Sequence, residues 1–462
     1  MIGNIDENSK FRSVNNIVMC ILKYLQFATP TQEQLIALNS LEKFVEPNSS
    51  IDVFILSGAA GTGKSSVVSA LVGHLNAEKI QYRIAAPTGK AARIIGRKSN
   101  ATAQTIHSLI YNVNHDINTG AIKYSLKCNI SPNPCIFIID EASMIPAKPH
   151  TSGSLYVVDK GLLHDLFTYV KRLHENSKII FLGDNYQLSP VFENDSLALD
   201  LEFLKSTFGI TGQIAYLKEV MRQQNGSSIL EDAIRIRDGI DRGEREVRIR
   251  GRYCRDIKDA ANRYVDSMLT YGYEKQIAIG VSHKSNAYFN KLVRSSFFKN
   301  PDKVLLPGDL LVINKNWNKG NVQLYNGDQV KLISADWSSV EEVAGLRFVP
   351  VKFQPIFSTI KDIIEDFALL ECITSQGGEI SQDLEIGLRR DRFIKNPIYR
   401  NSANPSDDRY VGALRFSYSY SITCNKAQGG EWDKVFINTM GIPSLRWKYT
   451  ALTRAVSTVE LF

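Results

Sequence analysis

The chain has 462 residues, 44% hydrophobic and 22% charged, with a net charge of +7. That length implies two or more domains rather than one core, and no apolar run approaches the roughly 20 residues that a membrane span needs. The mild positive balance favours polyanionic partners. Six scattered cysteines, with no C-x-x-C pair and no neighbouring histidine cluster, exclude the usual zinc spacings and read as reduced core thiols.

In chain order, residues 17–27 form an apolar stretch broken by Lys23 and Gln26, without a small-residue cleavage site. The spacing predicts a short amphipathic helix rather than a signal peptide. Residues 52–57 (DVFILS), 83–86, 135–139 and 178–182 read as buried strands, each followed by a turn and a helix-compatible stretch. Buried strands alternating with helices predict a parallel α/β sheet, whose ligands bind outside the carboxyl ends of the strands. Segments 111–117 and 121–126 flank the turn signal Asn118-Thr119-Gly120 and predict a projecting β-hairpin. Residues 242–255 carry six arginines interleaved with Val247 and Ile249. They could line a phosphate path, but a solvated strand face is the better reading. Residues 304–357 are strand-rich, with turns at Pro307-Gly308 and Asn326-Gly327 and period-two alternation over 328–333, which predicts a small β-barrel. Residues 360–408 show no interpretable period, and there is no internal repeat or low-complexity tail.

The strongest chemical signal is Gly58-Ala59-Ala60-Gly61-Thr62-Gly63-Lys64-Ser65, followed by Ser66. It fits G-x-x-x-x-G-K-[ST] between a predicted strand and a predicted helix. Glycines let backbone amides wrap phosphates, and the helix N-terminus favours the anion. Lys64 would reach the β- and γ-phosphates of ATP and Ser65 would ligate Mg²⁺. The strand Ile136-Phe137-Ile138-Ile139 ends in Asp140-Glu141. Asp140 is placed to hold Mg²⁺, and Glu141 to polarise an attacking water. These two elements define an ATP hydrolase without saying what it drives.

The remaining motifs do, because in order from about Thr31 to Leu461 the sequence resembles a superfamily 1 helicase of the RecD/Dda type. Thr31-Gln32-Glu33-Gln34 resembles the adenine-reading element, with Gln34 on the base. Residues 86–92, with Pro87 and Thr88, and residues 105–109, with Thr105 and His107, resemble DNA-contacting motifs. Residues 182–191 resemble the motif that couples γ-phosphate to DNA, with Gln187 as sensor, and residues 217–222 the element whose arginine, Arg222, contacts the γ-phosphate. Residues 421–432 resemble the motif that binds DNA backbone through Thr423, Asn425, Lys426 and Gln428 and senses nucleotide through Gly429 and Glu431. Residues 449–455 resemble the last motif, with Arg454 as an arginine finger, a task suited to a planar fork that stays charged. Asn425 departs from the histidine usual there and cannot become cationic, which implies an altered DNA contact with ATPase chemistry intact.

The resemblance implies an α/β fold of two RecA-like P-loop NTPase domains, with a β-hairpin pin insert and a small SH3-like β-barrel insert. Residues 1–27 would be an N-terminal extension, 28–222 the first domain with the pin at about 110–134, 223–302 and 415–462 the second domain, and 303–414 the accessory insert. ATP would lie between the domains, and its hydrolysis would drive alternate gripping of a strand through phosphate contacts that carry no sequence information. His115, Ile117 and Tyr124 would block the first base pair. The implied partners are single-stranded DNA, single-strand/duplex junctions and a single-strand binding protein, with the chain a monomer in a bacterial or phage-infected cytoplasm moving 5′ to 3′ during replication, recombination or repair. A RecD-type motor subunit of a larger complex, a remodeller that does not unwind alone and an RNA helicase are the competing expectations.

Overall fold

The computed structural model describes residues 19–25, 29–115, 122–149, 156–157, 160–220, 228–320, 322–356, 362–375 and 377–462. The chain divides into two units, one of Met1–Asn112, Ser125–His150 and Asp159–Asn225, the other of Val113–Tyr124, Thr151–Val158 and Gly226–Phe462.

The first unit's strands β1 (Val53–Gly58), β2 (Tyr82–Ala86) and β3 (Ala103–Thr105) precede two short strands, β4 (Tyr111–His115) and β5 (Ile122–Leu126), most of whose residues belong to the second unit. They are followed by β6 (Ile136–Ile139), by β7 (Tyr156–Val157) of the second unit, and by β8 (Lys178–Gly183) and β9 (Gly212–Leu217) of the first. The main sheet has the order β3-β2-β6-β8-β1-β9, and its pairings are parallel. The four strands expected from sequence are all present, shifted by a residue at most. Every residue of β1 and β6 is buried. A strand covered on both faces keeps apolar side chains at consecutive positions, which is why these runs do not alternate. The helix Lys64–Ala77 buries Val67, Val68, Leu71 and Leu75 in the same core as Phe54, Leu56, Ile138 and Ile180.

The expected hairpin strands form a separate three-stranded sheet of order β4-β5-β7. Its third member, β7, pairs parallel to β5 with Ile122 opposite Tyr156 and gave no sequence signal. The turn at 118–120 and Ile117 lie outside the described residues. At the N-terminal end, the amphipathic helix expected over 17–27 is described only as Met19–Leu22, with Ile21 buried.

In the second unit, β10 (Arg252–Tyr253) and β11 (Gln276–Gly280) are followed by an antiparallel group: β12 (Leu310–Ile313), β13 (Trp317–Lys319), β14 (Val322–Leu324), β15 (Gln329–Ala335), β16 (Glu341–Val343), β17 (Leu346–Pro355), β18 (Ile364–Leu369) and β19 (Phe416–Tyr418). The chain then closes with β20 (Ser421–Thr423), β21 (Trp432–Ile437) and β22 (Ala455–Leu461). A parallel sheet of order β10-β22-β21-β11-β20 carries this unit's α/β layer. The antiparallel sheet runs β16-β17-β15-β12-β19 with β18 on β17, and β13 pairs with β14 alone.

Residues 360–408, featureless in sequence, hold β18 and the helices Leu370–Thr374, Gln382–Lys395 and Pro397–Ser402. The helix Gln382–Lys395 buries Glu385 and Arg389 beside Leu388. Its core face is therefore charged in part, and a search for an apolar period misses it. The arginine-rich stretch behaves as a solvated edge. Val247 and Ile249 are buried, and Arg250 pairs with Glu231 and Asp232. Only Arg252–Tyr253 is strand, however, so the expectation of a longer strand face is corrected. The side chains there find acids on neighbouring segments instead of a ladder partner.

The antiparallel group leaves the α/β layer after helix His283–Phe297 and returns through β19 and β20. Both crossings meet at one buried ion pair. Arg294 holds Asp309 through Nε (2.8 Å) and Nη2 (3.1 Å), and donates to the carbonyls of Pro301 and Lys303. Asp309 also accepts from the Tyr420 hydroxyl at 3.0 Å and the Leu306 amide at 2.8 Å. Burial holds the Asp309 carboxyl above its usual range although the guanidinium pulls the other way. Neither charge is tolerated alone in such a place. Arg294→Met is expected to destabilise the chain by about 3–5 kcal/mol, read as a shift of the urea midpoint. A loss below about 1 kcal/mol, the value of an exposed pair, would remove this pair from its anchoring role.

Candidate functional site

At the carboxyl end of β1 the chain turns through residues 59–63 into the helix Lys64–Ala77. Gly61 and Gly63 have φ of +81° and +87°, a region L-residues rarely enter. A Cβ on Gly58 would lie 2.7 Å from the Leu217 carbonyl, and one on Gly63 2.5 Å from Gln34 Nε2. The loop is closed by the Thr62 hydroxyl, which donates to the Ala59 carbonyl at 2.9 Å. Lys64 Nζ donates to the Gly58 and Ala59 carbonyls, the latter at 2.9 Å. The helix starts at Gly63 without a side-chain cap. The Ser66 amide donates to the Gly63 carbonyl at 3.0 Å, and the dipole of this side-chain-uncapped helix start favours an anion. This donor set fits a nucleotide's phosphates.

Gln34 sits in the helix Gln32–Val45 and is wholly buried. It completes a capping box with Thr31 and donates from Nε2 to the Thr62 carbonyl at 3.0 Å. It thus braces the loop's far side.

Two further strand ends flank this loop in the same sheet. After β6, Asp140 accepts from the Glu141 amide at 2.9 Å. Burial first, and then the Glu141 carboxylate, hold the Asp140 carboxyl well above the ordinary range, with Lys64 and Lys98 opposing. A half-buried pair of acids of this kind suits a divalent cation, whose charge would reverse that shift. Among the described residues no preformed cluster of three or more metal-ligating side chains occurs. Glu141 has φ of +50°, a strained conformation that the turn into Ala142–Met144 imposes. After β8, Asp184 and Gln187 are both buried, with Gln187 Nε2 3.4 Å from Asp184 Oδ2 and its Oε1 without a protein partner.

The three threonines expected to meet DNA share one local design. Thr88 follows β2 and caps the helix Gly89–Ser99, accepting from the Ala91 amide at 3.2 Å. Thr105 ends β3 and caps Ile106–Ile110 through the Ser108 amide at 3.1 Å. Thr423 ends β20 in the second unit and caps Cys424–Ala427 through the Lys426 amide at 3.4 Å. His107 lies 5.7 Å from the Tyr111 ring, and burial lowers its pKa. Pro87 is half-buried, Asn425 is exposed, and Gln428 is buried. Lys426 Nζ donates to Asn314 Oδ1 at 2.8 Å, a partner that sequence gave no reason to single out.

Arg454 is buried. Its guanidinium donates to the carbonyls of Thr450 (3.1 Å) and Gly430 (3.3 Å) and to the Thr453 hydroxyl (3.2 Å). Gly429, at φ +73°, and Glu431 lie on the adjoining turn. Arg222 falls outside the described residues.

Residues 45–252 match the family model described as an AAA domain, and residues 418–461 that of the UvrD-like helicase C-terminal domain. The chain is 22% identical to the RecBCD enzyme subunit RecD of Buchnera aphidicola, over 89% of this chain and 70% of that protein. It is 29% identical to the ATP-dependent RecD2 DNA helicase of Deinococcus radiodurans, over 30% of this chain but 16% of that protein. Among solved structures, the Pif1 helicase of Candida albicans superposes with a TM-score of 0.50 at 16% identity, covering 94% of this chain and 95% of that one. Bacteroides Pif1 bound to single-stranded DNA does so at 0.50 and 15%, covering 94% and 92%.

Gly63→Ala tests the loop geometry. A side chain there must either hold the left-handed region at about 1–3 kcal/mol or shift the loop, so nucleotide affinity is expected to fall at least about fivefold by fluorescent-nucleotide titration, with the melting temperature lowered by no more than several degrees. Unchanged affinity would mean that the loop does not hold phosphate.

Proposed function

We propose that this superfamily 1 helicase of the RecD/Pif1 type hydrolyses ATP to travel along single-stranded DNA and separate a duplex ahead of it. What carries the reading is the contrast between helix starts. The helix after β1 opens on glycine with its amides uncapped, whereas those after β2, β3 and β20 open on threonine caps. The first arrangement suits a nucleotide's phosphates. The others suit a strand's evenly spaced phosphates, because a cap uses the hydroxyl's acceptor side; at Thr88 and Thr423 this leaves the hydrogen to donate, whereas at Thr105 it goes to Ser108 Oγ at 2.8 Å.

Lys64 would neutralise the β- and γ-phosphates, and Ser65 and Asp140 would hold Mg²⁺, which supplies charge stabilisation when bound. Glu141 would orient the attacking water, and Gln187, by turning its Nε2 away from Asp184, would register the γ-phosphate. Arg454 would exchange its three protein contacts for a phosphate, and Arg222 is assigned its γ-phosphate role from the motif alone. Thr88, Thr105, His107, Thr423 and Lys426 would hold the strand backbone with little sequence preference and a strong dependence on salt. Asn425 would offer an uncharged contact.

The small β4-β5-β7 sheet is assigned as the strand-separating pin, with Tyr124 as its described candidate. The antiparallel group after β11 is assigned as the SH3-like accessory insert. Movement 5′ to 3′ and action as a monomer complete the proposal. The likeness to a RecBCD subunit across most of the chain favours one second reading, a motor that unwinds only within a larger complex.

The test is unwinding of a short duplex bearing a 5′ or a 3′ single-stranded tail, with ATP and Mg²⁺. Unwinding is expected from the 5′ tail alone and is abolished in Lys64→Ala. Glu141→Gln is expected to lower ATP turnover about 10²–10⁴-fold with nucleotide affinity retained. Unwinding from the 3′ tail would reverse the assigned direction. DNA-stimulated ATPase without unwinding from either tail would select the subunit reading.

A further inference from the structure

The second unit contains a cleft of about 390 Å³, bordered by the helix His283–Phe297, by β20 and Lys426, and by Ser375, Gly377 and Ser417 of the antiparallel group. Thr423 and Lys426 lie on its lining, so residues assigned to DNA backbone meet the accessory insert here. Asn314 makes the connection. It directly follows β12, is 7% exposed, and fixes its main chain by donating to the Arg415 carbonyl at 2.8 Å. Its Nδ2 donates to the Gly378 carbonyl at 3.1 Å, and its Oδ1 accepts from Ser417 Oγ at 3.2 Å and Lys426 Nζ at 2.8 Å.

This set determines which way the amide faces. A carbonyl can only accept and an ammonium can only donate, so the oxygen must face Lys426. Gly378, at φ +80°, permits the close approach, because a Cβ there would lie 1.9 Å from Asn314 Nδ2. The chemistry of the partner also matters. A neutral amide oxygen fixes the ammonium through one of its three hydrogens without cancelling its charge, whereas a carboxylate at the same place would cancel it. Burial lowers the Lys426 pKa, with Glu379 opposing. His283, on the same lining, is held low by burial and by Lys426, and Asp302 is the acid on the lining.

We infer that Asn314 is a positioning residue: it aims the Lys426 ammonium at a phosphate of the single strand while leaving its charge intact, and so ties the grip on DNA to the accessory insert. The inference rests on the reading of Lys426 as a DNA contact.

The experiment measures ATPase activity of the full chain against oligo-dT concentration over a salt series, for Lys426→Ala, Asn314→Leu, Asn314→Asp and the Asn314→Leu/Lys426→Ala double variant, with thermal melts alongside. Lys426→Ala is expected to raise the half-maximal oligo-dT concentration about tenfold and to flatten the log–log salt slope by about 0.7, the value of one single-strand phosphate contact. Asn314→Leu is expected to raise that concentration three- to tenfold with the same flattening, while turnover at saturating DNA stays within about twofold. The double variant should match Lys426→Ala alone, the non-additivity of groups that act as a unit. Asn314→Asp, which preserves side-chain shape should the leucine variant fail to fold, is expected to weaken the grip as well by neutralising the lysine. A lowered melting temperature with wild-type DNA dependence and salt slope in the Asn314 variants, or additive effects in the double, would overturn the inference. No effect of Lys426→Ala would instead overturn the reading it rests on.

Discussion

A helix that starts at the carboxyl end of a buried parallel strand leaves N–H groups that the strand cannot satisfy, because its own ladder has ended. Something must accept from them, and in this chain the choice of acceptor separates the sites. After β2, β3 and β20 a threonine does so from its own side chain. After β1, Gly63 has no side chain to do so and Gln34 is spent bracing Thr62, so the helix start carries no side-chain acceptor and is open to a phosphate. The same constraint explains why the acids after β6 and the Asp184–Gln187 turn after β8 belong to the site. Neighbouring strands of one parallel sheet end together, and whatever follows them is gathered on one edge.

Gathering side chains there carries an energetic cost that the fold meets locally. Glu141 occupies a left-handed conformation, and Asp140 holds its proton more tightly than a free carboxyl because burial and Glu141 both oppose its charge. Strain and raised proton affinity of this kind persist only where surrounding structure fixes them. Here the anchors are four consecutive buried residues of β6 and the hydrogen bond from the Asp140 amide to the Ala85 carbonyl.

The second unit solves a different problem, that of carrying an antiparallel insert without loosening the α/β layer from which it departs. The exit and return are joined by Arg294, Asp309 and Tyr420, a buried charged node that is costly to break from either side. Two polar residues, Asn286 and Asn290, reinforce it from the same helix by bonding to Ser421. Asn314 sits one step further out, where the insert touches Lys426. A rigid root and a polar contact at the cleft together give the insert a physical route to the residues proposed to hold DNA.

Much of this was legible from residues alone. The glycines and lysine of the loop, the strand ending in Asp140-Glu141 and the order of the later motifs are local patterns in which spacing itself encodes the chemistry. Buried parallel strands announce themselves because both faces are apolar. The helix Gln382–Lys395 did not, because Glu385 and Arg389 replace part of its apolar stripe with an ion pair that is meaningful only once Arg415 and Lys315 are packed around it. The strand β7 is too short to carry a period. The threonines stood out in sequence as expected DNA contacts, whereas their role as helix caps was not legible. The partnership of Asn314 with Lys426 spans 112 residues of sequence, and no local spacing can encode it. Sequence determined which chemical groups this protein brings and the strands that carry them; tertiary structure decided which of them are capped, braced or aimed, because those outcomes depend on neighbours that only folding supplies.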